Sequence, residues 1–192
     1  MYAFLLSTAV IFVAELGDKS QLMAMTFATR YRARDVILGI TAATAIVHLA
    51  SVGIGALIGD AFADYQQYIT LVAGVAFLLF AAWTLRGDEL TEDEASKARN
   101  SRGMALLAVG VAFFLAELGD KTMLATITLA TQEGWLGTWI GSTLGMVAAD
   151  ALAIGVGALL GRQLPEKVIK YGAAALFAIF GLLLIVDGVA HM

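Results

Sequence analysis

Residues 12–20 read Phe-Val-Ala-Glu-Leu-Gly-Asp-Lys-Ser, and residues 114–122 read Phe-Leu-Ala-Glu-Leu-Gly-Asp-Lys-Thr. A shift of 102 residues lays one on the other. The same shift pairs Leu22 with Leu124, Thr26 with Thr128, and Ala28 and Thr29 with Ala130 and Thr131. Farther along it lays the run GIGALIG at 53–59 on GVGALLG at 155–161. A two-residue gap then brings Phe77 and Phe80 onto Phe177 and Phe180. Matching at this density through both halves is a duplication.

Outward from the motif the chain is apolar. Of its 192 residues 60% are hydrophobic and 15% charged, whereas a soluble domain carries about 25% charged residues. Stretches of about 20 apolar residues are long enough to cross about 30 Å of hydrocarbon as helices. Such stretches run near 4–27, 36–58, 68–85, 104–130, 136–160 and 168–189. The alternating segments that mark an outer-membrane barrel are absent. The expected class is an all-α integral membrane protein of six transmembrane helices. Residues 1–85 form the first three-helix repeat, 86–102 a charged linker, and 103–192 the second repeat. The linker, RGDELTEDEASKARNSR, reads as a solvated, partly helical connection. With no cysteine, disulfides, thiolate ligands and thiol redox chemistry are excluded. The first stretch does not read as a signal peptide, because it lacks a basic start and contains Glu15, Asp18 and Lys19. The partner is the lipid bilayer, not nucleic acid.

With six spans, the first, third and fifth loops share one side. They hold Arg30, Arg32 and Arg34; Arg86, Lys97, Arg99 and Arg102; and Arg162, Lys167 and Lys170, ten of the twelve basic residues. Lys19 and Lys121, inside the motifs, are the other two. Lys and Arg collect in cytoplasmic loops, so these loops are expected inside the cell and both termini outside. A unit of three spans re-enters the membrane upside down in its second copy. The expected architecture is therefore a pair of inverted-topology repeats, with a substrate site at their interface near mid-membrane. Glycines four apart are expected to let helices approach closely: Gly55 and Gly59, Gly157 and Gly161, and Gly137, Gly141 and Gly145.

Ionisable groups in the bilayer core are expensive unless paired or hydrated, so they point to function. Read as continuous helices, the first and fourth spans carry Glu15 and Asp18, and Glu117 and Asp120, near their middles. The i, i+3 spacing puts each Glu and Asp on one face, and Lys19 and Lys121 follow each Glu by four residues, placed to pair with it. Two such faces would gather four carboxylates, whose repulsion a divalent cation, protons or the two lysines would relieve. A structural Glu–Lys salt bridge is the plainer reading of one copy. Recurrence at matched depth, with an Asp and a hydroxyl (Ser20, Thr122) in each copy, favours a cation site. Oxygen ligands suit hard cations such as Mn²⁺, Ca²⁺ or Mg²⁺ rather than Cu or Zn. His48 and Asp150 are also repeat equivalents. They suit a proton relay or a place in the cation shell, the alternative being an interhelical hydrogen bond. Gln21 and Met123, again equivalents, would add an amide oxygen and a thioether nearby unless they only pack.

Two copies of E-x-G-D-[K/R]-[S/T], each in the first span of a three-span unit, resemble the signature of the calcium/cation antiporter-2 family across essentially the whole chain. Its members include bacterial manganese exporters and Golgi and chloroplast-envelope manganese/calcium transporters. The resemblance implies exchange of Mn²⁺, or Ca²⁺, against protons, with Glu15, Asp18, Glu117 and Asp120 binding the cation and no cofactor. With no long leader before the first span, it also implies a bacterial type of protein in the inner (cell) membrane. Alternating access around the carboxylates is the expected mechanism, and a homo-oligomer stays open as the assembly. An exporter of small organic solutes would share the size and repeats but need fewer clustered carboxylates. An intramembrane aspartyl protease would need Asp18 and Asp120 to share a proton, and a channel would show no strict counter-transport.

Overall fold

The computed structural model describes residues 1–86, 104–160 and 166–192. Beyond Arg86, the linker expected at 86–102 lies outside the described residues, as do Gly161 and Arg162. All regular structure in the described residues is helical. The first half holds α1 (Tyr2–Glu15), α2 (Lys19–Ala28), α3 (Ala33–Ala61), a 3-10 turn (Ala63–Tyr65) and α4 (Gln66–Arg86). The second holds α5 (Ala105–Glu117), α6 (Lys121–Gln132), α7 (Trp135–Leu160) and α8 (Glu166–Ala190). Four stretches, Ala33–Ala61, Ala63–Arg86, Trp135–Ala158 and Lys170–Ala190, are long and apolar enough to cross a membrane, and Tyr2–Glu15 and Ala105–Glu117 are shorter apolar helices. Their outward faces are apolar too, with Leu57 72% and Val72 69% exposed. Water would penalise so much exposed hydrocarbon, and lipid does not. The chain is an α-helical membrane protein.

Spacing predicts unbroken helices over 4–27 and 104–130. The structure corrects this, because each stretch breaks inside its motif. α1 stops at Glu15 and α2 restarts at Lys19; α5 stops at Glu117 and α6 restarts at Lys121. The cause is local. Leu16 and Asp18 are extended around Gly17 at φ +75°, and Leu118 and Asp120 around Gly119 at φ +80°. Glycine enters the left-handed region without a Cβ penalty, and among the described residues only these two glycines use it.

The halves interlock. α1 lies along α7, α5 along α3, and α4 against α8. Glycines bring backbones together: a Cβ on Gly141 would fall 2.4 Å from the Phe4 carbonyl oxygen, and one on Gly145 2.6 Å from that of Thr8. The close packing expected of Gly137, Gly141 and Gly145 is thus present. Gly137 meets Ala3, Gly141 meets Phe4 and Gly145 meets Thr8 and Phe12, so α1 and α7 run parallel. In α4 and α8 the contacts run oppositely, Gly74 with Ile185 and Gly188 with Leu71. Where the halves cross, repeat equivalents touch each other. The rings of Phe77 and Phe177 lie 5.8 Å apart, with Phe180 edge-on to Phe77 at 4.8 Å. The Thr44 hydroxyl donates to the Met146 sulfur at 3.3 Å.

Candidate functional site

Each break leaves main-chain groups to satisfy. The Gly17 N–H, which a continuous helix would give to the Val13 carbonyl, donates to Gln21 Oε1 at 2.7 Å. The Gly119 N–H points at the Met123 sulfur at 3.2 Å. Gln21 also donates from Nε2 to the Ala149 carbonyl at 2.8 Å, joining α2 to α7. Gln21 and Met123 therefore complete the breaks themselves.

The motif acids gather at the broken ends. Glu15 and Glu117 are the last residues of α1 and α5, and Asp18 and Asp120 the N-caps of α2 and α6. All four are buried. Neither aspartate caps its own helix through its side chain, though a carboxylate there still benefits from the helix dipole. The Ser20 hydroxyl donates to Glu15 Oε1. Thr122 donates to Glu117 Oε2 at 3.1 Å, and its hydroxyl is 3.4 Å from Asp120 Oδ2.

The breaks interrupt the continuous helix from which an i, i+4 spacing of Glu15 with Lys19 and of Glu117 with Lys121 is read. Both lysines also reach the aspartate of the other repeat. Lys121 Nζ donates to Asp18 Oδ1, and Lys19 Nζ lies 3.8 Å from Asp120 Oδ1. The two crossings are unequal, because the Lys121 side chain is 5% exposed and that of Lys19 18%.

Asp18, Glu117 and Asp150 all lie within electrostatic reach of Glu15, and Asp120, Asp18 and Asp150 within reach of Glu117. The five carboxylates thus share one interior. Among the described residues, however, no three acidic or histidine side chains converge tightly enough to hold a metal ion. Glu15 Oε2 and Glu117 Oε1 are buried and have no hydrogen-bond partner there, and the buried Asp150 carboxylate lies near the Ser20 hydroxyl. His48, the repeat equivalent of Asp150, is as deeply buried, and its ring nitrogens have no hydrogen-bond partner among the described residues.

The family model for the divalent cation/proton antiporter GDT1 matches residues 3–92 and 105–192, both halves of the duplication. The chain belongs to the GDT1 family. A Vibrio cholerae protein named "Putative manganese exporter" is 34% identical over 186 residues, covering 95% of this chain and 90% of that one. The Synechocystis GDT1-like protein sll0615 is 30% identical, over 93% of this chain and 94% of its own. The chloroplast PAM71-homolog of Arabidopsis thaliana is 30% identical over 92% of this chain but 57% of its own length. No solved structure matches the chain. GDT1 proteins are transporters, so this chain is a transporter and not an enzyme, which sets the protease alternative aside.

Two features of this GDT1 site escape a reading of spacing alone. The break had a visible signal, a Gly-Asp pair inside an apolar run. The crossed lysines had none, because their partners lie about a hundred residues away.

Proposed function

We propose that this GDT1 protein exports a divalent cation, Mn²⁺ first and Ca²⁺ second, in exchange for protons. Glu15, Asp18, Glu117 and Asp120 bind the cation, Ser20 and Thr122 orient the glutamates, and Asp150 is a further acid of the same interior. One observation carries this reading: carboxylate oxygens of Glu15 and Glu117 are buried without hydrogen-bond partners among the described residues, in one region with Asp150. A buried carboxylate left so is costly, and a proton or a hard cation relieves it. Both compete for the same oxygens, and that competition couples the fluxes. A Vibrio cholerae relative named "Putative manganese exporter" supports taking Mn²⁺ first.

In this reading the chain crosses the cell (inner) membrane six times, as two inverted repeats with both termini outside. Broken helices count as one crossing each, a device of transporter sites. Chain direction supports it. The end of α3 lies by the end of α6 (Gly59 with Thr131), the start of α7 by the start of α1, and the end of α7 by α2 (Gly157 with Met25). The equivalent helices α3 and α7 therefore run in opposite directions.

Lys121 and Lys19 offset the Asp18 and Asp120 charges until a cation brings two charges to these oxygens and displaces the ammonium groups. At the outer face protonation expels the cation, and at the inner face the cation displaces protons, so inward proton flow drives export. Proteoliposomes with an imposed pH gradient test this. Glu15→Gln and Asp120→Asn are each expected to cut Mn²⁺ flux at least about tenfold, equivalent to about 1.4 kcal/mol. Flux at the wild-type level in either variant would sink the carboxylate site. Adding Ca²⁺ as a competitor ranks the two cations.

A further inference from the structure

We infer that the glycine seam of α3 on α6 and its repeat equivalent, the seam of α7 on α2, are the two gates of the transport path, the first closed here and the second loosened. The inference rests on the alternating-access reading above.

The two seams are the same contact made twice. Gly55 meets Ile127 of α6, and Gly157 meets Met25 of α2. Shifted by 102 residues, Gly55 becomes Gly157 and Met25 becomes Ile127. Register is conserved between the seams, but closeness is not. A Cβ on Gly55 would fall 2.3 Å from the Ile127 carbonyl oxygen and 2.7 Å from the Ala130 Cβ, and one on Gly59 2.9 Å from the Thr131 carbonyl oxygen. These are contacts with backbone, which cannot step aside. Among the described residues, a Cβ on Gly157 would meet only the Met25 side chain, with sulfur at 3.0 Å and Cγ at 3.5 Å.

Three other observations agree. Gly55 is buried and Gly157 half-buried. The end of α6 is tied to α4, where the Thr70 hydroxyl donates to Gln132 Oε1 at 2.9 Å and Gln66 Nε2 to the Thr131 carbonyl at 3.5 Å. Arg30 and Thr29, equivalents of Gln132 and Thr131 at the end of α2, are exposed. Finally, the lysine on the looser side, Lys19, is the more exposed of the pair. Two copies of one unit packing differently at one matched contact are a two-state element caught in one state. In the other state the Gly157 seam closes on the α2 backbone and the Gly55 seam opens. Given the proposed orientation, the site here faces the cytoplasm and is shut from outside.

The chain has no native cysteine, so Thr29→Cys and Thr131→Cys each carry a unique thiol for a membrane-impermeant maleimide, applied to either face of vesicles. The Thr29→Cys thiol is expected to label faster than that of Thr131→Cys. Gly55→Ala sets a methyl against the Ile127 carbonyl, blocks the closed seam and is expected to reverse the ratio, by about tenfold for a shift of about 1.4 kcal/mol. Gly157→Ala meets no backbone in this state but blocks the other, and should raise the ratio while slowing Mn²⁺ exchange. Gly53→Ala and Gly155→Ala, with nothing within 4 Å of the new Cβ among the described residues, should change neither. If Gly55→Ala does not fold, Gly59→Ala and Gly157→Ala carry the test. A ratio unmoved by the seam variants in folded protein overturns the gates even where Mn²⁺ exchange persists. A ratio that moves as expected in a protein that carries no Mn²⁺ upholds the gates and overturns the cargo.

Discussion

Lys121 and Asp18 form a buried ion pair between two halves of the chain, and such a pair is more costly to break than to remove. Deleting one partner leaves the other charge uncompensated, at about 3–5 kcal/mol. Lys121→Gln is therefore expected to lower the thermal midpoint more than Lys121→Gln combined with Asp18→Asn, a cycle that melts in detergent can resolve. Lys19→Gln should cost less, since its pair is longer and more exposed. Gly119 offers a cleaner measurement. Among the described residues nothing lies within 4 Å of a Cβ there, so the expected cost of Gly119→Ala is conformational, about 1–2 kcal/mol, and Gly119→Asn should cost less. The acids were legible from sequence because charge in an apolar run has few explanations. Their partners were not, since an ion pair across the two halves leaves no spacing to read.

Among the elements, the apolar stretches were legible from length and flanks, and α3, α4, α7 and α8 fall where they are expected. The motif helices were not, because i, i+3 and i, i+4 arithmetic assumes a helix that glycine interrupts. That interruption places each Glu at one helix end and each Asp at the next helix start. The glycines of α7 show how tightly the elements fit. Gly141→Leu drives a side chain into the Phe4 backbone, and overpacking costs about 1–3 kcal/mol or more. On α8 a Cβ at Gly172 meets nothing within 4 Å among the described residues, and Gly172→Leu is expected to cost far less. Comparing thermal unfolding of the two variants tests whether the α1–α7 contact is as close as described.

For the whole molecule, the duplication and the one-sided loop charges were readable from the sequence. What could not be read is that the halves differ in packing, because near-identical sequences do not say which of two equivalent seams is closed. The proposed orientation has its own test. A thiol introduced by Arg32→Cys should react with an impermeant reagent only from the cytoplasmic face, and one introduced by Asp64→Cys only from the outer face. The opposite pattern would reverse the topology. The contacts between equivalents carry a further consequence. In a two-fold homodimer of single three-helix chains, Thr44 would face its own copy, and any substitution there would act twice. Joining the copies in one chain lifted that constraint. Phe77 and Phe177 still meet as like with like, whereas Thr44 now meets Met146, and His48 and Asp150 were free to become different acids. The fused gene can thus tune one side of its transport cycle without altering the other.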